Sequence, residues 1–160
     1  MVTRRWNGAA GRPGNSGRSV ALIARYLIDT SAAARMRHPV VAQRLSPLIE
    51  AGTVATCATL DAEALYSARS PTEYEQLRSD RRHAYEYLAT EDEHWQAAVD
   101  AQRSLARTGR HRAVGIADLL NAVLADEHQL TLVHYDADFD VAAEVIAFKH
   151  QWVAPRGSIL

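Results

Sequence analysis

Residues 132–140 read LVHYDADFD. An apolar pair, Leu132 and Val133, runs through His134 and Tyr135 into Asp136, Asp138 and Asp140. TLVHY has the length and β-branched content of a short buried strand, and FDVAAEVIAF has helical spacing. The aspartates therefore fall on a strand-to-helix turn. Neighbouring carboxylates repel, so stability of the strand alone gives no reason for such an ending.

Outward from this turn, the same strand-then-helix order recurs. YLI reads as a strand ending at Asp29, with Thr30 and Ser31 as natural N-caps for the helix SAAARMR. Pro39 opens a second helix, VVAQRLSPLIE, that stops near Gly52. TVATCAT is a β-branched run and a second strand, followed by a helical LDAEALYSARS. Pro71 restarts the chain, and TEYEQLRSDRRHAYEYL is a long, polar, mostly helical stretch. Thr90 with Glu93 forms a capping box for EHWQAAVDAQRSLART, which Gly109 closes. IADLLNAVLADEHQ is a further helix, and HQWV is a last strand. Strands separated by helices imply right-handed crossovers and an α/β fold on a parallel sheet. In such sheets sites form beyond the carboxyl ends of the strands. Asp29 and Asp136 both stand there, on one edge.

The chain has 160 residues, which suits a single domain. No apolar run approaches the roughly 18–20 residues that span a bilayer, so no membrane association is expected and a cytoplasmic protein is the default. Cys57 is the only cysteine, so neither an internal disulfide nor a thiolate metal site can be built. The charge is uneven. Residues 1–25 carry five arginines (Arg4, Arg5, Arg12, Arg18, Arg25) and no acid, whereas the remainder carries 13 basic and 19 acidic residues. Residues 1–24, rich in Gly, Arg, Asn and Ser, read as a flexible basic tail, with a nucleic-acid-gripping arm as the alternative. They lack the apolar core of a secretory signal. The folded domain is expected over 25–160.

Four regions can bring acids to the shared edge: Asp29, the Asp61/Glu63 helix, Asp118, and the Asp136/Asp138/Asp140 turn. Each has a plainer explanation. Asp29 can be a helix N-cap, and Asp61, Glu63 and Asp118 can simply suit helix dipoles. Asp61 and Glu63 lie about 160° apart around a helix, so only one can face Asp29, and periodicity leaves open which. On the Asp118 helix, Ile116, Leu119, Leu120 and Val123 share one side. Asp118, Asn121, Ala122 and Ala125 share the other, either a solvated face or an acid among small side chains that leave room for a metal and substrate. Carboxylates gathered without basic neighbours call for a cation, and oxygen ligands favour Mg²⁺ or Mn²⁺. The scattered histidines form no HxxxH or HxH pair, and no GxSxG, phosphate loop or GxGxxG is present, which weighs against zinc hydrolase, esterase, NTPase and dinucleotide-binding readings.

YLIDTSA (26–32), the Glu63 helix, ADLLNAVLADEHQLTLVHYDADFDVAA (117–143) and the ending QWVAPRGSIL together resemble PIN-domain ribonucleases. More narrowly, they are similar to the VapC-type toxins of bacterial toxin–antitoxin pairs. TGRHRAVGIADLLNAVLADEHQLTLVHYDADFD is the most specific part, and the likeness covers roughly 24–157. It implies a three-layer fold with helices on both faces of a central parallel sheet. It also implies a metal-dependent endoribonuclease with Asp29, Glu63, Asp118, Asp136 and Asp138 as catalytic acids. Asp29, Asp118, Glu63 and Asp138 would hold Mg²⁺, with Mn²⁺ as a substitute, and Thr30 or Ser31 would bond a carboxylate or a phosphate oxygen. The resemblance selects Glu63 over Asp61. Asn121 departs from the aliphatic residue expected after ADLL.

The partners so implied are an RNA substrate, a VapB-type antitoxin docking on 37–50 and 72–88, and a second copy in a homodimer. Trp95 and Leu105 suit either core or interface. Arg110, His111 and Arg112, just before the Asp118 helix, are candidate phosphate contacts. A catalytically inactive PIN-like module that only binds RNA or antitoxin is the alternative function. A phosphohydrolase with DADFD as nucleophile motif would want Thr or Val where Asp140 stands.

Overall fold

A computed structural model describes residues 22–159. The tail expected over 1–24 lies outside the described residues up to residue 21. Its last residues belong to the domain. The backbone N–H groups of Ile23 and Ala24 donate to Glu86 Oε1 at 3.0 and 2.8 Å, and Ala24 is buried in the core. The expected boundary at 25 therefore falls inside packed structure.

Five parallel strands form one sheet in the order β3-β2-β1-β4-β5. They are β1 (Tyr26–Ile28), β2 (Val54–Cys57), β3 (Glu86–Leu88), β4 (Thr131–His134) and β5 (Lys149–Trp152). Between them run α1 (Thr30–Ala33), α2 (Pro39–Glu50), α3 (Ala58–Tyr66), α4 (Pro71–Ala84), α5 (Asp92–Ala106), α6 (Ile116–Glu127) and α7 (Asp138–Ala142). Strand side chains alternate between two cores. Leu27, Cys57, Leu88 and Leu132 join Leu105, Leu119, Leu124 and Phe139 from α5, α6 and α7. Ile28, Val54 and Val133 join Ala32, Val41 and Leu45 from α1 and α2. The sheet is thus covered on both faces, which is why its strands read as apolar runs rather than as alternating polar and apolar residues.

The expected elements are present with four departures. First, α1 is four residues long, and its N-cap is Asp29, whose carboxylate accepts from Ser31 N–H; Thr30 and Ser31 are already inside the helix. Second, the capping box of α5 is made by Glu91 and His94, not by Thr90 and Glu93. Third, the stretch over 72–88, expected to be helical or partly helical, is helical only to Ala84, and Glu86–Leu88 pairs with β2 as an edge strand, which was not expected. Fourth, the supposed open side of α6 is closed. Asn121, Ala122 and Ala125 are fully buried along with Leu119, Leu120 and Leu124, because α6 is sandwiched between the sheet and its neighbouring helices. The small residues there permit close packing and do not leave room for substrate.

Chain order across the sheet runs β1, β2, β3 to one side and then returns across β1 to β4. The topological switch therefore lies between β1 and β4, the place where open α/β sheets leave a crevice. The register pairs Ile28 with Val133, and Asp29 N–H donates to Val133 O at 2.9 Å. The residues just past that pair, Asp29 and the Tyr135–Asp136 turn, flank the crevice.

Candidate active site

Asp29 follows directly from β1 and is 5% exposed. One carboxylate oxygen, Oδ2, accepts from Ser31 N–H at 2.9 Å; the other, Oδ1, is buried without a partner. The helix-cap explanation therefore accounts for one oxygen and leaves the other without a partner among the described residues. Burial raises the Asp29 pKa, the Ser31 bonds oppose that, and the charges of Glu63 and Asp136 add to the rise.

Glu63 comes from α3, where Thr30 Oγ1 donates to its Oε2 at 2.6 Å. Asp61 points elsewhere. Its Oδ1 accepts from Arg81 Nε at 2.8 Å and from Thr56 Oγ1 at 2.8 Å, tying α3 to α4 and β2. Ser31 Oγ accepts from Tyr135 N–H at 2.9 Å, so this hydroxyl braces α1 against the end of β4. Thr30 makes the carboxylate bond expected of one of the pair.

Asp118 sits in the first turn of α6, half-buried. Its pKa is pushed up to about 7, by burial first and then by the charges of Asp29, Glu63, Asp136 and Asp138. Four further acids therefore stand close enough to act on it. Asp118, Asp136 and Asp138 each offer a carboxylate oxygen, all within 4.8 Å of one another. Asp136 Oδ1 also accepts from Asp138 N–H at 2.9 Å, folding the turn so that both acids face Asp118. Burial and the Asp136 charge raise the Asp138 pKa as well. Asp140 lies apart, with its Oδ1 accepting from Trp152 Nε1 at 3.2 Å.

The donor set is all carboxylate, and among the described residues no salt bridge compensates its charges and one oxygen of Asp29 is buried without a partner. These features fit a hard divalent cation. The fold brings the expected acids together from the ends of β1 and β4, the second turn of α3 and the starts of α6 and α7.

Other expected residues lie differently. Arg110 donates to Glu144 Oε2 at 2.6 Å on the surface, so its charge is already partnered; His111 and Arg112 are exposed. Leu105 is core, whereas Trp95 remains 38% exposed on α5. Asn121 faces β2 and α3: its Oδ1 accepts from Thr59 Oγ1 at 2.6 Å and lies 3.4 Å from Cys57 Sγ. It packs away from the acids as a buried link. Sequence reading overlooked His134. It is fully buried at the end of β4, between Val133 and the acidic turn, and its pKa is lowered to about 4 by burial and then by His150. A polar residue inside a buried strand was the available signal.

The PIN domain family model matches residues 26–145. The chain is 41% identical over 134 residues to ribonuclease VapC21 of Mycobacterium tuberculosis, covering 84% of this chain and 97% of that protein. It is 40% identical over 135 residues to ribonuclease VapC51 of the same organism, again with 84% and 97% covered. Among solved structures, VapBC of Salmonella typhimurium bound to DNA aligns with a TM-score of 0.64 at 14% identity, covering 82% of this chain and 99% of that one. VapBC2 of Rickettsia felis bound to a promoter DNA fragment gives 0.63 at 18% identity, covering 79% and 97%.

Proposed function

The chain belongs to the PIN-domain family, in its VapC ribonuclease branch, and from that premise we propose that it is a metal-dependent endoribonuclease toxin restrained by a VapB-type antitoxin. The observation that carries the chemistry is the meeting of Asp118, Asp136 and Asp138 beside the unpartnered oxygen of Asp29. Asp29, Asp118, Glu63 and Asp138 are the proposed ligands of Mg²⁺, or Mn²⁺ in its place, and Asp136 positions water or completes the set. A divalent cation held there neutralises charge on the attacked phosphate and lowers the pKa of a water.

The chain's own groups do the rest. Thr30 fixes Glu63 by a 2.6 Å bond, and Ser31 N–H bonds one Asp29 oxygen while the other is buried without a partner among the described residues. Asp118, whose pKa is pushed up to about 7, would be a ligand once ionised, and a cation held beside it would offset the like charges of the neighbouring acids. His111 and Arg112 remain the phosphate contacts we favour, while Arg110 would first have to leave Glu144. The antitoxin is proposed to dock on α2 and α4, with the toxin acting as a homodimer in the cytoplasm. Among the described residues, no helix is long and apolar enough to cross a membrane.

The test is cleavage of RNA by antitoxin-free protein. Cleavage with Mg²⁺ or Mn²⁺, leaving 3′-hydroxyl and 5′-phosphate ends, is expected. Undiminished cleavage in excess EDTA would overturn the reading. Sequencing of RNA 5′ ends after brief expression then identifies the substrate.

A further inference from the structure

We propose that His134 is a positioning residue for the acidic turn, holding Asp136 and Asp138 in their metal-binding arrangement through the Asp136 backbone and braced in turn by His150. The inference rests on the nuclease reading and deepens it. Asp136 N–H lies 3.2 Å from His134 Nδ1. A backbone amide can only donate, so Nδ1 is the lone-pair nitrogen and the ring proton sits on Nε2. Nε2 is 2.9 Å from His150 Nδ1, which therefore accepts. The tautomers of both rings follow without a free choice.

The relay continues forward. Asp136, held at its backbone, uses its own Oδ1 to accept from Asp138 N–H at 2.9 Å. One chain of bonds thus runs from β5 through the buried ring to both acids. The ring itself is locked by Phe139 at 4.9 Å, Trp152 at 5.1 Å and His150 at 5.2 Å between centroids.

His134, His150 and Asp140 also offer ligand atoms within 4.8 Å of one another, as a second metal site would. The tautomer argues against that use. His134 Nε2 carries a proton aimed at His150 and has no lone pair for an ion, and Asp140 Oδ1 already accepts from Trp152. The cluster is a brace behind the acids.

The test is Mn²⁺ binding, measured per folded molecule on the full antitoxin-free chain, alongside RNA cleavage. His134→Asn places an oxygen where Nδ1 stood and keeps the acceptor for Asp136 N–H. His134→Gln reaches toward His150 and offers nothing at that position. Both remove the ring and its packing. Gln should weaken Mn²⁺ binding about tenfold or more, in the range known for groups that orient metal ligands, while Asn recovers most of the wild-type affinity. Equal behaviour of the two, or wild-type Mn²⁺ affinity in folded His134→Gln, overturns the inference. Should neither fold, His150 decides: His150→Leu is expected to weaken Mn²⁺ binding severalfold and His150→Asn, which keeps an acceptor, is not; no difference between them overturns it. Failure of the wild-type protein itself to bind Mn²⁺ or cleave would instead remove the nuclease reading.

Discussion

Asp118 shows how burial and charge act on one side chain. Its ionised form is disfavoured by desolvation and by four neighbouring acids, so its pKa stands near 7 in the folded, metal-free protein and near 4 in the unfolded chain. Between those values the folded state binds more protons than the unfolded state. Stability of the metal-free protein therefore falls as pH rises from about 4 to about 7, and the loss is complete above that range. Asp118→Asn removes the charge. It should raise the thermal midpoint by several degrees at pH 8 and by clearly less at pH 5, where only part of the loss has occurred. Cleavage should fall by about two to three orders of magnitude, the scale on which loss of a charge-stabilising group acts in other active sites. A melt at both pH values with an RNA assay checks this; an equal shift at both would show that Asp118 is not ionised against its neighbours. Residues of this kind were legible because chemistry dictates their type. Asp29, Asp118, Asp136 and Asp138 stand at element ends where an acid either caps a helix or binds an ion, while Glu63 stands inside α3. The choice of Glu63 over Asp61 came from family resemblance and not from periodicity. Its structural counterpart is Arg81, which engages Asp61 from twenty residues away in sequence. The role of Asn121 was hidden for the same reason, because its partners Cys57 and Thr59 lie on another element.

At the scale of elements, strands and helices that bury apolar faces announced themselves, the polar α4 was legible from its Pro71 start and helical propensity, and the edge strand β3 was missed. β3 pairs on one side only and buries Leu88 alone, while Tyr87 stays 58% exposed, so EYL left little apolar pattern to set it apart from the polar helix before it. Helix ends were partly legible. Gly52, with φ +69, closes α2 as expected of a glycine in the left-handed region. Gln129 does the same work at the end of α6 with φ 53, where Leu130 N–H donates back to Ala125 O at 2.8 Å. A side chain there is strained, so Gln129→Gly should stabilise the protein by about 0.5–1 kcal/mol, net of the unfolded-state entropy that glycine adds. Chemical denaturation reads this, and destabilisation would show that the Gln129 Nε2–Asp126 O bond outweighs the strain. The N-terminal boundary gives a second prediction. A protein starting at Leu22 keeps the Ile23 and Ala24 bonds to Glu86 and the burial of Ala24, and should melt with the full chain. One starting at Arg25 loses both bonds and should melt several degrees lower, at about 2–4 °C per kcal/mol for a domain of this size. Equal midpoints would mean that the β3 edge needs no such cover.

The whole molecule sets an acidic site in an acidic body, and under the proposed function a bound cation would let the two meet an anionic substrate. Outside the arginine-rich first 25 residues, acids outnumber bases 19 to 13, and the site concentrates that excess at the switch between β1 and β4. A divalent ion bound only by the folded chain stabilises it by mass action, about 2.7 kcal/mol at one hundred times its dissociation constant. Binding must displace the proton that Asp118 holds near pH 7. Below that pH the proton competes, so apparent Mn²⁺ affinity should fall about tenfold per pH unit, whereas above it the affinity levels off. At fixed Mn²⁺, the rise in thermal midpoint should therefore be small at pH 5.5 and large at pH 8. The metal-free protein has the reverse trend, since it loses stability over the same interval. The two curves, with and without Mn²⁺, should diverge as pH increases, and EDTA should collapse one onto the other. A Mn²⁺ shift independent of pH would take Asp118 out of the ligand set. The opposed slopes are the signature of a site whose charges are tolerable only when an ion is shared among them.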